Sequence, residues 1–538
     1  MECEMFMYDI AIKNGIIVDG TRAKPRAANL YIQDGKIAAI SEDDREAAKV
    51  YDARGHIVAP GFIDNHSHSD VSYLNTDIME AGLIAGVTCN VAGQCGGSIV
   101  PLNEKNINSQ LKGMSGLHRY KLTPETFKPR DFTSYCADVS EKGCSVNMAL
   151  FIGHGTLRSA VIGWELRQLT PEELAQMCAL LDDLLYQGAA GVSFGLIYPP
   201  GSFCNTDEVI ALAKVVAKHD KILGVHMRNE NKGVFDALDE MIHVAEVSGC
   251  KLEISHLKLM GKTQWGRADE LLNKIDLARA RGVRIHADQY PYTSSHSALT
   301  SCFPKWALDG GFGKFLERVK DDSQWAAIVA DGLPEMYERG GPENITVSDF
   351  NGDEAYPEAM GKTLVEIAEM LHLPLLDAVR HVLIRGAGQV ACFYKNMNEE
   401  DVLKIMSRRD ICVISDGTIY DMHNYNGRPH PRCTGTFPRF LRLVREHSLM
   451  SIEDAVYKMT GLPATLLRLD DRVGFLKEGM EATITVFDKD SVSDRATFEQ
   501  PTLPPVGIDL VFVSGRCVLD NGVFTAERPG RVLKVESR

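Results

Sequence analysis

The sequence predicts an α/β protein: a (β/α)8 TIM-like barrel with a small discontinuous β-sandwich built from both ends of the chain. Three observations predict it. Short apolar runs alternate with amphipathic helix-period segments from about residue 55 to 460, and eight such runs can be counted. Strand–turn–strand patterns lie at both ends of the chain and have too little apolar surface to stand alone. The length, 538 residues, exceeds what one small core needs but suits a barrel with insertions.

At the N-terminal end, "YDIAIKNGIIVDG" and "LYIQDGKIAAISE" alternate apolar and polar residues around Asn-Gly and Asp-Gly, the hairpin signal. "EATITVFDKD", "DLVFVSGRCV" and "LDNGVFTAE" repeat the pattern near the other end. Residues 1–56 and 466–538 are therefore expected to pack into one sandwich around a barrel spanning 57–465. The eight expected barrel strands are "HIVAPGFID", "GVTCNVAG", "VNMALFIG", "AAGVSFG", "KILGVH", "KLEISH", "VRIHADQY" and "DICVISD". The clearest helix is "TPEELAQMCALLDDLLYQG". Thr170 and Glu173 form a capping box, Pro171 takes the first helical position and Gly188 is the stop, while Leu174, Met177, Leu181 and Leu184 share one face. A doubly wound open sheet is the alternative arrangement of the same pattern. Residues 296–405 interrupt the rhythm before the eighth strand and are expected to form a helical insertion and a lid.

Composition narrows the function classes. Hydrophobic residues are 44% and charged residues 24%, the values of an ordinary globular protein. The formal charge of −15 disfavours nucleic acid, and no basic patch stands out. No stretch approaches the ~20 apolar residues of a membrane span, and "MECEMFMYDIAIKNG" has no charged region followed by an apolar one, so a soluble, unexported protein is expected. Thirteen cysteines without framework spacing or a CxxC fit reduced thiols and a cytoplasmic location. Oligomeric state leaves no mark in the sequence.

In a barrel, chemistry sits at the C-terminal ends of the strands. There the sequence supplies His66 and His68 after the first strand, Cys95 after the second, His226 after the fifth, His256 after the sixth and Asp416 after the eighth. Each has a plain structural explanation alone: a hydrogen-bonded core histidine, two histidines in phase on an extended strand, or an aspartate capping a turn. Their conjunction points to a metal site.

That conjunction resembles the amidohydrolase superfamily of metal-dependent hydrolases, with H-x-H after the first strand, histidines after the fifth and sixth, and an aspartate after the eighth. The superfamily usually adds a bridging carboxylate, often on a fourth-strand lysine, but "GAAGVSFGLIYPPG" offers no Lys, Glu or Asp. Cys95 is the candidate to replace it as a thiolate, with the surrounding glycines letting the backbone bend. One branch, the N-acyl-D-amino-acid deacylases (D-aminoacylases), uses such a cysteine. The sequence is similar to it in ordered blocks: "GFIDNHSHSD", "QCGGSIVPL", "GHGTLR", "GVSFGLIYPPG", "HMRNE", "ISHLK", "DQYPYTS", "ISDG" and "HPRCTGTFPR". It departs from the branch at Leu257, where a second histidine is common, and at "AGQCGG".

The resemblance implies zinc held tightly by Cys95, His226 and His256, and a second, sometimes weakly occupied position formed by His66, His68 and Asp416. It makes Asp416 the proton carrier and Tyr198 the oxyanion donor, and it assigns the substrate carboxylate to Lys258, Tyr290 and Arg432. Arg228 has no assignment, either binding substrate or bracing its loop. The implied reaction is hydrolysis of N-acyl-D-amino acids, and the implied partner is that small molecule, with neither nucleic acid nor membrane. The alternatives are a cyclic-amide hydrolase of the hydantoinase or dihydroorotase kind and a catalytically silent scaffold.

Overall fold

The computed structural model describes residues 7–75, 80–118, 121–350, 356–418, 420, 422 and 427–537. Its central sheet has eight parallel strands: β1 (Phe62–Asp64), β2 (Val87–Ala92), β3 (Asn147–Gly153), β4 (Gly191–Gly195), β5 (Ile222–His226), β6 (Lys251–Ile254), β7 (Ile285–Gln289) and β8 (Ile411–Val413). They follow one another around the sheet in chain order, without the reversal that defines a doubly wound sheet. Just beyond β1 and β8 the ends meet. Ser67 bridges Gly417, the Asp416 amide donates to the His66 carbonyl at 2.9 Å, and the His68 amide donates to the Gly417 carbonyl at 2.7 Å. The barrel is closed at its mouth.

Side chains alternate faces along each strand. In β3, Ala149 and Phe151 join Ile63, Val91 and Cys412 in the barrel interior, while Met148, Leu150 and Ile152 join the outer core beneath the helices. The helix Pro171–Tyr186 forms as expected. Thr170 and Glu173 cap each other, Met177, Leu181 and Leu184 are buried, and Gly188 leaves the helix at φ +115°.

The run "HIVAPGFID" divides into two strands. Ile57–Pro60 pairs antiparallel with Ile484–Phe487, and only Phe62–Asp64 enters the barrel. Pro60 has no amide to continue the first ladder. Through that pairing both ends of the chain join one nine-stranded sheet, whose core includes Ile12, Leu30, Val58, Ile484, Val486 and Phe512. The tail then runs back under the barrel, with the Met148 amide donating to Arg531 at 2.9 Å and the Leu533 amide to Met148 at 2.7 Å.

Between β7 and β8 the chain builds a unit with its own core around Phe315, Trp325, Ile328 and Val382. Alongside helices it contains an antiparallel sheet of Ser294–Ala298, Ile345–Phe350 and Val390–Lys395. Helical periodicity dominates this stretch of sequence, but "VACFYK" alternates and finds a partner on each side. Among the described residues no helix is long and apolar enough to cross a membrane.

The closing seam contains a buried carboxylate. Asp64 accepts the Ser415 amide at 2.9 Å and the Ser415 hydroxyl, tying β1 to the chain after β8. Burial outweighs these bonds and pushes its carboxyl up to about 7. The folded protein therefore binds a proton here that the unfolded chain has already lost, so the contribution is present at low pH and lost as pH rises through about 7. Asn at this position cannot ionise. From about pH 4 to about pH 8, wild type should lose on the order of 2–4 kcal/mol relative to Asp64→Asn, read by urea unfolding of metal-stripped protein. A pH-independent gap would mean that Asp64 does not bind this proton.

Candidate metal centre and active site

The strand ends bring the six ligand-type residues together. Cys95 Sγ lies 3.4 Å from His256 Nε2, 3.7 Å from His226 Nδ1 and 3.4 Å from His66 Nε2. Asp416 Oδ1 lies 3.1 Å from His68 Nε2 and 3.4 Å from His66 Nε2. Two sets result, Cys95–His226–His256 and His66–His68–Cys95–Asp416, and the sulfur belongs to both.

Three of these residues hold left-handed backbone: Cys95 at φ +52°, His256 at φ +41° and Asp416 at φ +49°. Non-glycine residues adopt this region at a cost of about 1–3 kcal/mol each, and such outliers gather at functional sites. Close backbone packing holds the Cys95 turn in place. A Cβ on Gly195 would lie 2.0 Å from the Cys95 carbonyl oxygen, and one on Gly96 would lie 2.5 Å from the Gly195 nitrogen. Glycine at both positions lets the second-strand turn lie directly on β4.

The donor set suits a soft-to-borderline divalent cation. With Zn–S near 2.3 Å and Zn–N near 2.0–2.1 Å, a tetrahedral site spaces sulfur and nitrogen by about 3.6 Å. The observed spacings of 3.4 and 3.7 Å bracket that value. Burial drives both His66 and His256 down to about 3, so they present neutral lone pairs. Burial, reinforced by Asp416, pushes the Cys95 thiol well above its ordinary value. A neighbouring cation reverses that direction and yields the thiolate.

A second layer of side chains lies behind the ligands, and the sequence reading missed it. Glu230 lies 3.0 Å from His256 Nδ1 and 3.3 Å from His226 Nε2, the nitrogens turned away from the sulfur, and it accepts from Lys258 Nζ at 2.6 Å. Burial opposes its charge, but His226, Lys258 and His256 outweigh burial and hold the carboxyl well below the usual range. Lys258 Nζ lies 2.6 Å from the same His256 Nδ1; for His256 to bind a metal through Nε2 that Nδ1 must carry the proton, which leaves Glu230 as its acceptor and turns the Lys258 ammonium to Glu230 as well. Asp288 lies 3.5 Å from His66 Nδ1 and accepts the His256 amide. The spacing of Glu230, four residues after His226, was the only trace of this role in the sequence.

Around the centre is a cavity of about 400 Å³. Tyr198, Lys258, Tyr290 and Arg432 all line it. The Tyr198 hydroxyl lies 3.0 Å from Ser297 Oγ, and its ring packs edge-on against His226. Tyr290 is buried with no hydrogen-bond partner for its hydroxyl among the described residues, under the guanidinium of Arg432 at 4.7 Å and the ammonium of Lys258 at 5.7 Å. Arg432 Nη1 lies 2.8 Å from Asp416 Oδ2, off the hydrogen-bonding direction, and its Nε has no acceptor. Burial raises Asp416, but Arg432, His256 and the bond from His68 overcome it and keep the carboxylate ionised. Arg228 is not in the cavity wall. It pairs with Glu240 at 3.0 Å and donates to the Cys204 carbonyl, bracing its loop. A further buried group, His154, Cys204 and Glu208, is structural: Glu208 already pairs with Arg158 and His154.

The sequence matches the amidohydrolase family profile over residues 49–300 and 422–519. It is 34% identical to an N-acyl-D-aspartate deacylase of Alcaligenes xylosoxydans xylosoxydans, across 98% of this chain and 95% of that one. This protein belongs to the amidohydrolase family. A D-aminoacylase of the same organism is 33% identical to this amidohydrolase, covering 98% and 97%. The crystal structure of an N-acyl-D-glutamate deacylase from Bordetella bronchiseptica, complexed with zinc and a phosphonate that mimics the tetrahedral intermediate, superposes with a TM-score of 0.82. It is 33% identical, across 98% of this chain and all of that one.

Two outcomes are expected for this amidohydrolase. Gly195→Ala should push the Cys95 turn off β4 and reduce retained metal at least tenfold, read by mass spectrometry after dialysis, with the fold intact by circular dichroism. Glu230→Gln should lower metal affinity about 10–100-fold, read by competition with a chromophoric chelator. Unchanged affinity would mean that Glu230 does not orient the histidines.

Proposed function

We infer that this enzyme hydrolyses the amide bond of N-acyl-D-amino acids to a carboxylate and a free D-amino acid, using zinc. The observation that carries this reading is the Cys95 sulfur set among His66, His226 and His256, in a chain one-third identical to D-amino-acid deacylases over nearly its whole length. Cys95, His226 and His256 would hold the tighter ion, and His66, His68 and Asp416 the weaker. Twelve free cysteines among the described residues fit a reducing compartment, the cytoplasm.

When bound, zinc supplies a nucleophilic hydroxide near neutral pH and polarises the amide carbonyl. Asp416, ionised beside Arg432, accepts the proton released as water attacks and delivers it to the departing amine, which must be protonated to leave. Tyr198 stays a phenol because burial disfavours its anion, and it donates its O–H towards the developing oxyanion. Lys258, Arg432 and the unpartnered hydroxyl of Tyr290 take the α-carboxylate, the guanidinium as a planar fork and the ammonium as a point charge.

Amine release from paired N-acetyl D- and L-amino acids tests the reading, with D isomers hydrolysed and L isomers spared. Asp416→Asn should lower kcat by about 10²–10⁴ while one equivalent of zinc stays bound. Activity within tenfold of wild type would remove Asp416 from proton transfer.

A further inference from the structure

Among the described residues the cavity wall carries three Lys or Arg side chains, Lys258, Arg339 and Arg432, and the proposed α-carboxylate accounts for two of them. Lys258 and Arg432 both sit against the Tyr290 ring, and each already has an anionic neighbour, Glu230 and Asp416. The third is Arg339, which caps the helix Asp322–Glu338 of the inserted unit and reaches the cavity from outside the barrel. It is 3% exposed. It too has an anionic neighbour, Glu335, whose Oε1 lies 3.0 Å from its Nε, but off the hydrogen-bonding direction, so that among the described residues Nε has no hydrogen-bond acceptor. Glu335 meanwhile accepts from Asn231 at 3.2 Å. Among the described residues the guanidinium of Arg339 forms no hydrogen bond; it rests 5.8 Å from the Tyr394 ring.

A buried guanidinium is costly unless its donors are satisfied, and five donors in a rigid fork match a carboxylate. Arg339 packs on Tyr394, whose hydroxyl donates to the Ala298 carbonyl at 3.0 Å, next to Ser297, the partner of Tyr198, whereas Lys258 and Arg432 pack on Tyr290. The cavity thus has two separate cationic positions for one substrate. We propose that Arg339 binds a second carboxylate, on the amino-acid side chain, so that the preferred substrates are N-acyl derivatives of acidic D-amino acids. The proposal rests on the deacylase reading and specifies its substrate class. The identities do not choose: the aspartate-specific relative is 34% identical and the D-aminoacylase 33%.

The test uses the zinc-loaded enzyme and near-isosteric substrate pairs. N-acetyl-D-glutamate should exceed N-acetyl-D-glutamine, or N-acetyl-D-aspartate exceed N-acetyl-D-asparagine, by about 100-fold in kcat/KM, because an amide leaves the fork unpaired. In Arg339→Met the acid-to-amide ratio should fall to within about threefold of one, and Arg339→Lys should fall between. Equal rates on acid and amide in wild type overturn the proposal without any variant. So does Arg339→Met lowering both substrates in proportion, the signature of a structural role. A preference for N-succinyl over N-butanoyl substrates without a side-chain preference also overturns it, placing the carboxylate on the acyl group. Hydrolysis of no N-acyl-D-amino acid brings down the deacylase reading itself, and this proposal with it.

Discussion

Closure of the barrel between its first and last strands is the constraint on which the site rests. The residues that close it are also the residues that offer ligands: the Asp416 amide bonds to the His66 carbonyl, and the His68 amide to the Gly417 carbonyl. Backbone bonds therefore set the distance between the H-x-H segment and the aspartate, and side-chain rotamers need only finish the job. Asp64 locks the seam from below through Ser415. Left-handed backbone at Asp416 is tolerable because bonds on both sides determine it. An open sheet would separate His66 from Asp416 by its full width.

Desolvation then decides what the centre can hold. Water is excluded from His66 and His256, so both imidazoles are neutral and aim lone pairs at one point. A carboxylate in the bridging position would add a full negative charge beside Asp416 and Glu230. A thiol adds none until a cation arrives, and then it gives a soft, strong bond. Sulfur is thus compatible with a closely packed carboxylate environment in both loading states. Glu230 supplies negative charge on the far side of two imidazoles without occupying a ligand position.

The sequence made the barrel legible because its strands are buried on both faces and its helices are capped by local chemistry, as at Thr170 and Glu173. The six ligand-type residues were legible because strand ends can be counted. Less was legible where tertiary partners decide the outcome. The run "HIVAPGFID" reads as one strand until Ile484–Phe487 claims its first half. The sheet of the inserted unit depends on three segments spread over about a hundred residues. Glu230 reads as a loop acid and Asp288 as a strand residue, because the imidazoles His256 and His66 are brought to them from β6 and β1 only by the fold. Arg339 is a helix-cap arginine in sequence and a cavity wall in space. Arg228, beside a ligand in sequence, turns away from the cavity because Glu240 on the next helix pairs with it.

An anionic substrate approaches a protein of net charge −15, so its attraction must be local, within the ~8 Å over which charges act unscreened at physiological salt. In the cavity, Lys258 and Arg432 are each close to an anion, and an entering carboxylate gains little from a pair that is already neutral. The geometry of Arg432 resolves this. One arm, Nη1, faces Asp416, while the Nε edge has no acceptor. A guanidinium can hold two carboxylates along different edges of one plane, so a substrate bound as proposed would not need to displace Asp416. In the proposed reaction the substrate carboxylate would then be fixed relative to the carboxylate proposed to carry the proton, through a single rigid group. A lysine could attract either anion, but its ammonium has no plane with which to set their mutual orientation.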